Sequence, residues 1–324
     1  MRSRWPVLSP GHALAESSAR RLGTRPWVAD VLLVVVAVAW GSTYLVAKIL
    51  VTEDTVFAML AVRMSATALA LGALWALLRQ RMTRGALRVG FVLGVMLSLV
   101  FIFETFGIAM TSATNAGVII SLTIIITPVL ESLVGRRRLG ALFYIAGVTA
   151  VAGVYFLATG SRFTAFGVGD VLILIAAFAR SLHVLSMHRL SHARSVDSLA
   201  LTFVQMLTCG AVFVALSSIW GVSSWSYLTS MGWNLAVWMA YLVIVCTVFP
   251  FFIQMWAVRR TSPTRVSLVL GTEPVWAALI GVTIAGDRLG LTGFIGVALV
   301  LVGTLWGQRL ELRVPRHSIE DVRE

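Results

Sequence analysis

Ten long apolar runs divide this chain, and a polypeptide built that way has few folds open to it. They cover residues 28–50, 56–78, 89–109, 114–134, 140–159, 169–187, 198–220, 235–256, 265–285 and 290–308. Each holds 19 to 23 residues, against roughly 20 needed to cross about 30 Å of hydrocarbon at 1.5 Å per residue. Together they take 212 of the 324 residues, which leaves short connectors and two tails. Strands of a membrane barrel would be about half as long and would alternate in polarity. These runs do not alternate. The expected fold is an all-α membrane protein of ten transmembrane helices.

The surface argument agrees. Hydrophobic residues make up 58 % of the chain and charged ones 12 %, about half the usual charged share. Such a chain cannot cover a water-facing surface with polar groups, so it belongs in lipid.

A net charge of +12 suggests nucleic acid until the arginines are located. On the side of the N-terminus lie Arg2, Arg4, Arg20, Arg21 and Arg25, the group Arg79 to Arg88, Arg136 to Arg138, Arg189, Arg194, Arg259, Arg260, Arg265 and the C-terminal arginines, 21 in all. The other side has two, Arg162 and Arg288, and Lys48, Arg63 and Arg180 fall within spans. The positive-inside rule then puts both termini in the cytoplasm of a cell inner membrane. The arginines meet anionic headgroups, and no nucleic acid is needed. The single lysine, Lys48, is in Ala47-Lys48-Ile49, so no Gly-Lys-Ser/Thr phosphate loop exists to hydrolyse ATP. Residues 1–27 and 309–324 read as cytoplasmic tails, the first disordered. Arg20-Arg21 weakly resembles a twin-arginine address, but the 23-residue run that follows has no cleavage site and reads as a retained helix. Cys209 and Cys246 fall inside apolar spans and read as reduced core residues.

Shifted by 150 residues, the chain aligns with itself. Thr111-Ser112-Ala113-Thr114 falls on Thr261-Ser262-Pro263-Thr264, Arg138-Leu139-Gly140 on Arg288-Leu289-Gly290, Gly153 on Gly303 and Glu104 on Gln254; a shift of 142 puts Arg63 on Gln205. A five-plus-five duplication follows, with repeats at 28–159 and 169–308. Five is odd, so the second repeat enters the membrane inverted. Inverted repeats are a recurring plan of secondary transporters, with the substrate near the midplane between the halves.

Trp40-Gly41-Ser42-Thr43-Tyr44 resembles the Trp-Gly-Ser/Thr signature of EamA-type members of the drug/metabolite transporter superfamily. Arg63 matches that family's arginine in span 2, Thr111 to Gly117 looks like its span 3–4 junction, and Gly286-Asp287-Arg288-Leu289 is similar to its Gly-Glu-Arg-Leu turn, 13 residues beyond Pro274. The resemblance covers residues 28–308. Three positions depart from it: Arg137 stands where the family usually has Glu, Ala179-Arg180 where an aromatic-Ala pair is more usual, and Pro128 lies one turn later than the equivalent of Pro274.

Charges inside lipid must face protein or water. Arg180, near mid-depth of span 6, is either a binding group for a carboxylate substrate or an ion-pair partner of Glu104 or Glu131. His183, on the same helical face, can assist binding, relay a proton or pack between helices. Glu104 and Glu273 are the candidates for proton coupling, since carboxylates in apolar surroundings can change charge during transport. Glu273 also precedes Pro274, which frees one carbonyl of span 9. Glu131 is expected to pair with Arg136 to Arg138, Arg63 to serve structurally beside Glu53 or Asp54, and Lys48 to snorkel. Trp40, Tyr44 and Trp276 can form an aromatic wall. Asn115, Thr123 and Gln254 complete the expected substrate path. Trp27, Trp220, Trp225, Trp233 and Trp306 read as the interface belt, and the glycines of spans 5 and 10 as packing, internal or between protomers of a homodimer. His188 and His192 are four apart, but no Glu follows His188 and Arg189 and Arg194 repel a cation, so no metal and no cofactor is expected. The resemblance implies an exporter of an amino acid, a related metabolite or an amphiphilic drug. An integral-membrane enzyme acting on a lipid and a passive channel are the rival readings. The first lacks a clustered nucleophile or metal site, and the second lacks rings of like charge.

Overall fold

The computed structural model describes residues 26–79, 81–111, 116, 119–135, 140–159, 167–192, 197–280, 283–284 and 290–313. Residues 1–25 and 314–324, Arg136 to Arg138, Arg162, Asn115 and the Asp287-Arg288-Leu289 turn lie outside them, as do the side chains of Tyr44, Lys48 and Glu53. The parts of the expected tails at 26–27 and 309–313 belong to the first and last helices.

The helices are α1 (Pro26–Leu50), α2 (Val56–Leu77), α3 (Arg84–Met110), α4 (Thr123–Gly135), α5 (Ala141–Thr159), α6 (Val168–His192), α7 (Ser198–Ser217), α8 (Trp233–Val258), α9a (Pro263–Leu270), α9b (Glu273–Ile280) and α10 (Leu291–Arg313). Among the described residues six of them, α2, α3, α6, α7, α8 and α10, are long and apolar enough to cross a membrane. The sequence reads spans 4 and 9 as single apolar runs, with a break in span 9 expected at Pro274. Both are interrupted, by turns at Ser121-Leu122 and Gly271-Thr272, which stand 150 residues apart.

Local chemistry sets the helix starts. Thr83 accepts from the Ala86 N–H at 3.1 Å, Asp197 from Leu199 and Ala200, and Ser262 from Arg265 at 3.0 Å, each capping a donor that has no partner within its helix. Pro263 follows Ser262 at the first helical position, where its missing N–H costs nothing. A short helix, Ser224–Thr229, lies over the end of α1 through the Tyr227 hydroxyl, which donates to the Leu50 carbonyl at 2.7 Å. Burial pushes that phenol up to about 12, so it remains a donor at physiological pH.

Helix α2 packs on α7, α5 on α10 and α4 on α9a; α3 packs on α6 and α7, α8 on α1 and α2, α4 on α6, and α9 on α1. The α5–α10 contact needs glycine. A Cβ at Gly303 would lie 2.6 Å from the Ala146 carbonyl oxygen, and one at Gly153 2.5 Å from the Val300 nitrogen. These glycines therefore pack within the chain. Trp27, Trp220, Trp225 and Trp233 are exposed, while Trp306 is half-buried.

Candidate functional site

A cavity of about 440 Å³ lies between α1, α2, α3, α6, α8 and α9b. Its wall includes Trp40, Arg63, Glu104, Arg180, His183, Gln254 and Glu273, with Phe101 and Phe251 as apolar faces. It reaches Val51, Thr52 and Thr111, at the ends of α1 and α3. Trp40 lies ten residues before Leu50, so the cavity runs about 15 Å down from that side.

At its floor a single guanidinium meets two carboxylates. Arg180 Nη1 lies 3.8 Å from Glu104 Oε1 and Nη2 lies 3.5 Å from Glu273 Oε2. Its Cζ stands 4.6 Å from the centroid of the Trp40 ring, within range of a cation–π contact. Three helices thus converge on one residue of α6. The break at Gly271-Thr272 lets α9b start here and bring Glu273 in at its first turn. Glu131, the other partner considered for Arg180, is elsewhere: its Oε2 accepts from the Thr264 N–H at 2.9 Å and hydroxyl at 2.6 Å, at the start of α9a.

Helix α8 supplies the second organising feature. Residues Ile244–Val248 form a π-helical turn, in which the Phe249 N–H reaches back to Ile244. Pro250 has no N–H, so the Cys246 carbonyl four residues earlier lacks its helical partner. That oxygen accepts from Trp40 Nε1 at 3.1 Å and from Arg63 Nη2 at 3.5 Å. Arg63 Nε donates to Thr247 Oγ1 at 2.8 Å, and its Cζ lies 5.4 Å from the Phe101 ring centroid. Arg63 is therefore a cavity residue held by α8, where the sequence suggests a structural role beside Glu53 or Asp54. Pro250 was the sequence signal for this bulge.

Of the other expected residues, His183 and Gln254 are buried at the cavity wall, and Gln205 neighbours His183. Trp276 and Thr123 do not line the cavity. Trp276 donates from Nε1 to Thr272 Oγ1 at 3.2 Å and packs on Gly41, whose missing side chain admits it. The Thr123 carbonyl accepts from Ser267 Oγ at 2.8 Å, tying α4 to α9a. His188 donates through Nδ1 to the Val258 carbonyl at 2.8 Å. Both cysteines are buried free thiols.

On the side where α1 begins, the helices are tied together. Arg265 Nε donates to Asp30 Oδ1 at 2.8 Å and Nη2 to Oδ2, a bidentate fork that joins α9a to α1. Arg259 Nη1 donates to Ser198 Oγ at 2.8 Å. Arg265 is thus a buried partner of Asp30 and not a headgroup contact. An Asp within an apolar run was the available signal, because a carboxylate there needs a partner.

The sequence profile of the EamA-like transporter family matches this chain twice, over residues 27–159 and 167–306. The chain belongs to the EamA-like transporter family. This EamA-like protein is also 26 % identical over 289 residues to an uncharacterized transporter of Archaeoglobus fulgidus, covering 87 % of this chain and 86 % of that one. A solved crystal structure shares its fold at a TM-score of 0.68 and 17 % identity, covering 88 % of this chain and 98 % of the other. It is a multi-pass membrane protein of transporter type.

Proposed function

We propose that this EamA-like protein is a secondary active transporter of the inner membrane that exports a small metabolite by alternating access. The observation that carries the reading is a cavity that runs from the ends of α1 and α3 to Arg180, Glu104 and Glu273, with the Asp30–Arg265 ion pair on the side where α1 begins.

Two related five-helix halves fit this reading. Advancing every helix by five turns the α3–α6 contact into α8–α1, α3–α7 into α8–α2, and α4–α6 into α9–α1, while α2–α7, α5–α10 and α4–α9 map onto themselves. The double family match and the matching breaks in spans 4 and 9 support the same duplication. Two such halves can exchange conformations and expose the cavity alternately. The arginine distribution favours cytoplasmic termini, so the cavity here faces outward. Glu104 and Glu273 are the groups that would carry a proton through the cycle. The cargo is an amino acid, a related metabolite or an amphiphilic compound.

Proteoliposomes with a trapped pH dye test this. Saturable counterflow of one compound class is expected across a panel of amino acids, nucleosides, organic acids and lipophilic cations. Silence across the panel from folded protein would overturn the carrier reading.

A further inference from the structure

We infer that Arg63 is the receptor for an anionic group, in particular a carboxylate, on the transported molecule. The inference rests on the transporter reading above and selects among its cargo classes.

The cavity wall carries two guanidiniums and two carboxylates. Arg180 lies against both carboxylates. Arg63 is left as a cation only 5 % exposed, and among the described residues no carboxylate comes within ion-pair distance of it. Its contacts are the Thr247 hydroxyl, the Cys246 carbonyl and the face of Phe101. Neutral dipoles and a ring orient the guanidinium, and Glu104 acts on it only from beyond ion-pair distance, so no carboxylate is bonded to it and its desolvation is only partly offset. The bonds are all made through Nε and Nη2, so Nη1 has no hydrogen-bond partner among the described residues, in a side chain that lines the cavity.

The brace is built into the backbone. Pro250 frees the Cys246 carbonyl, and the π-helical turn presents Thr247 beside it. A fork fixed from behind loses little freedom when an anion arrives in front, which favours planar recognition of a carboxylate. Phe101 and Phe251, with ring centroids 5.8 Å apart, and Trp40 beside them offer an apolar wall for the rest of the molecule. A lipophilic cation would meet Arg63 as a like charge. The site therefore favours small carboxylates, anionic or zwitterionic, with an apolar body.

Binding to the full-length protein in detergent is measured with phenylacetate against phenylacetamide, phenylalanine against phenylalaninamide, and tetraphenylphosphonium. The acid of at least one pair is expected to bind about 10- to 100-fold tighter than its amide. Arg63→Gln should abolish that preference, and its melting temperature in detergent together with binding of at least one amide reports that the variant folds. Arg63→Lys should retain part of the preference, since the charge remains and the braced fork does not. An acid preference unchanged in Arg63→Gln would overturn the assignment. So would tetraphenylphosphonium binding more tightly than every acid, or no acid–amide preference in folded protein. Counterflow on the wider panel decides the transporter reading separately: a carrier of cations insensitive to Arg63 sinks this inference alone.

Discussion

Arg180 stands with its Cζ 4.6 Å from the Trp40 ring centroid, and the two residues are 140 positions apart, the same distance that separates the starts of the two family matches. Each is thus the same step into its own family match. The first helices of the two matched stretches, α1 and α6, meet there, so one residue of each bounds the cavity. A cation opposite an aromatic ring makes the meeting attractive and sets Arg180 between Glu104 and Glu273.

Removing that cation should be more harmful than removing the whole cluster. Arg180→Gln leaves two neighbouring carboxylates without their counterion and should destabilise the protein by about 2 kcal/mol, given partial access to cavity water. The triple variant Arg180→Gln, Glu104→Gln, Glu273→Gln should recover much of the loss. Thermal unfolding in detergent reads this out. Additive costs across the three positions would mean that they do not act as a unit.

The same two carboxylates should set the pH response. With both Glu104→Gln and Glu273→Gln in place, substrate-driven proton movement in dye-loaded proteoliposomes should vanish and the uptake profile should flatten. A double variant that transports with its pH dependence intact would remove both residues from the proton role.

Much of this fold is legible in the sequence because lipid leaves so few choices. Runs of about 20 apolar residues must be helices, and Trp40-Gly41-Ser42 together with Arg63 is enough to suggest the family. The cavity is partly legible for the same reason: Arg180, Glu104 and Glu273 are charges that hydrocarbon does not tolerate alone. What periodicity cannot show is partner choice. Arg265 reads as a headgroup arginine because it stands at the end of a span, yet Asp30, 235 residues away, takes both edges of its guanidinium. Trp276 reads as a cavity aromatic from its spacing after Glu273, but the space left by Gly41 draws it against α1. The role of Arg63 depends on a carbonyl freed by a proline in another helix, a relation that no local pattern carries.

The Asp30–Arg265 fork should hold the side opposite the cavity mouth shut. Breaking a buried pair costs roughly 3–5 kcal/mol, and the lower end applies because the Asp30 side chain is a quarter exposed. Arg265→Gln should therefore lower stability and admit reagents from the side where α1 begins. A cysteine introduced as Thr43→Cys at the cavity wall reports this. An impermeant maleimide applied from that side should label it in the Arg265→Gln background and leave the parent unlabelled. Equal labelling in both would show that the pair does not close the path.

Helices α5 and α10 meet backbone to backbone, so the glycines between them should tolerate nothing larger. Gly303→Leu puts a side chain where even a Cβ meets the Ala146 carbonyl and the Ala150 nitrogen at 2.6 Å. Overpacking of this kind costs typically 1–3 kcal/mol, and helix backbones cannot yield as a side chain can. A fall in detergent melting temperature is expected. At Gly140, where a Cβ would meet nothing within 4 Å, alanine should be neutral.

Pro250 should trade stability for function. Replacing it with alanine returns an N–H to the helix, and the Cys246 carbonyl can then make its ordinary bond four residues along. A proline in a regular helix interior costs about 3 kcal/mol, but here the π-helical turn already accommodates it, so Pro250→Ala should raise stability by only about 1 kcal/mol. The regained bond competes with Trp40 Nε1 and Arg63 Nη2 for one oxygen. The cavity wall should loosen, and cargo affinity should fall by roughly tenfold, the equivalent of one hydrogen bond. Melting temperature and binding measured on the same preparation check both halves of the trade. If both rise together, the freed carbonyl has no part in organising Trp40 and Arg63.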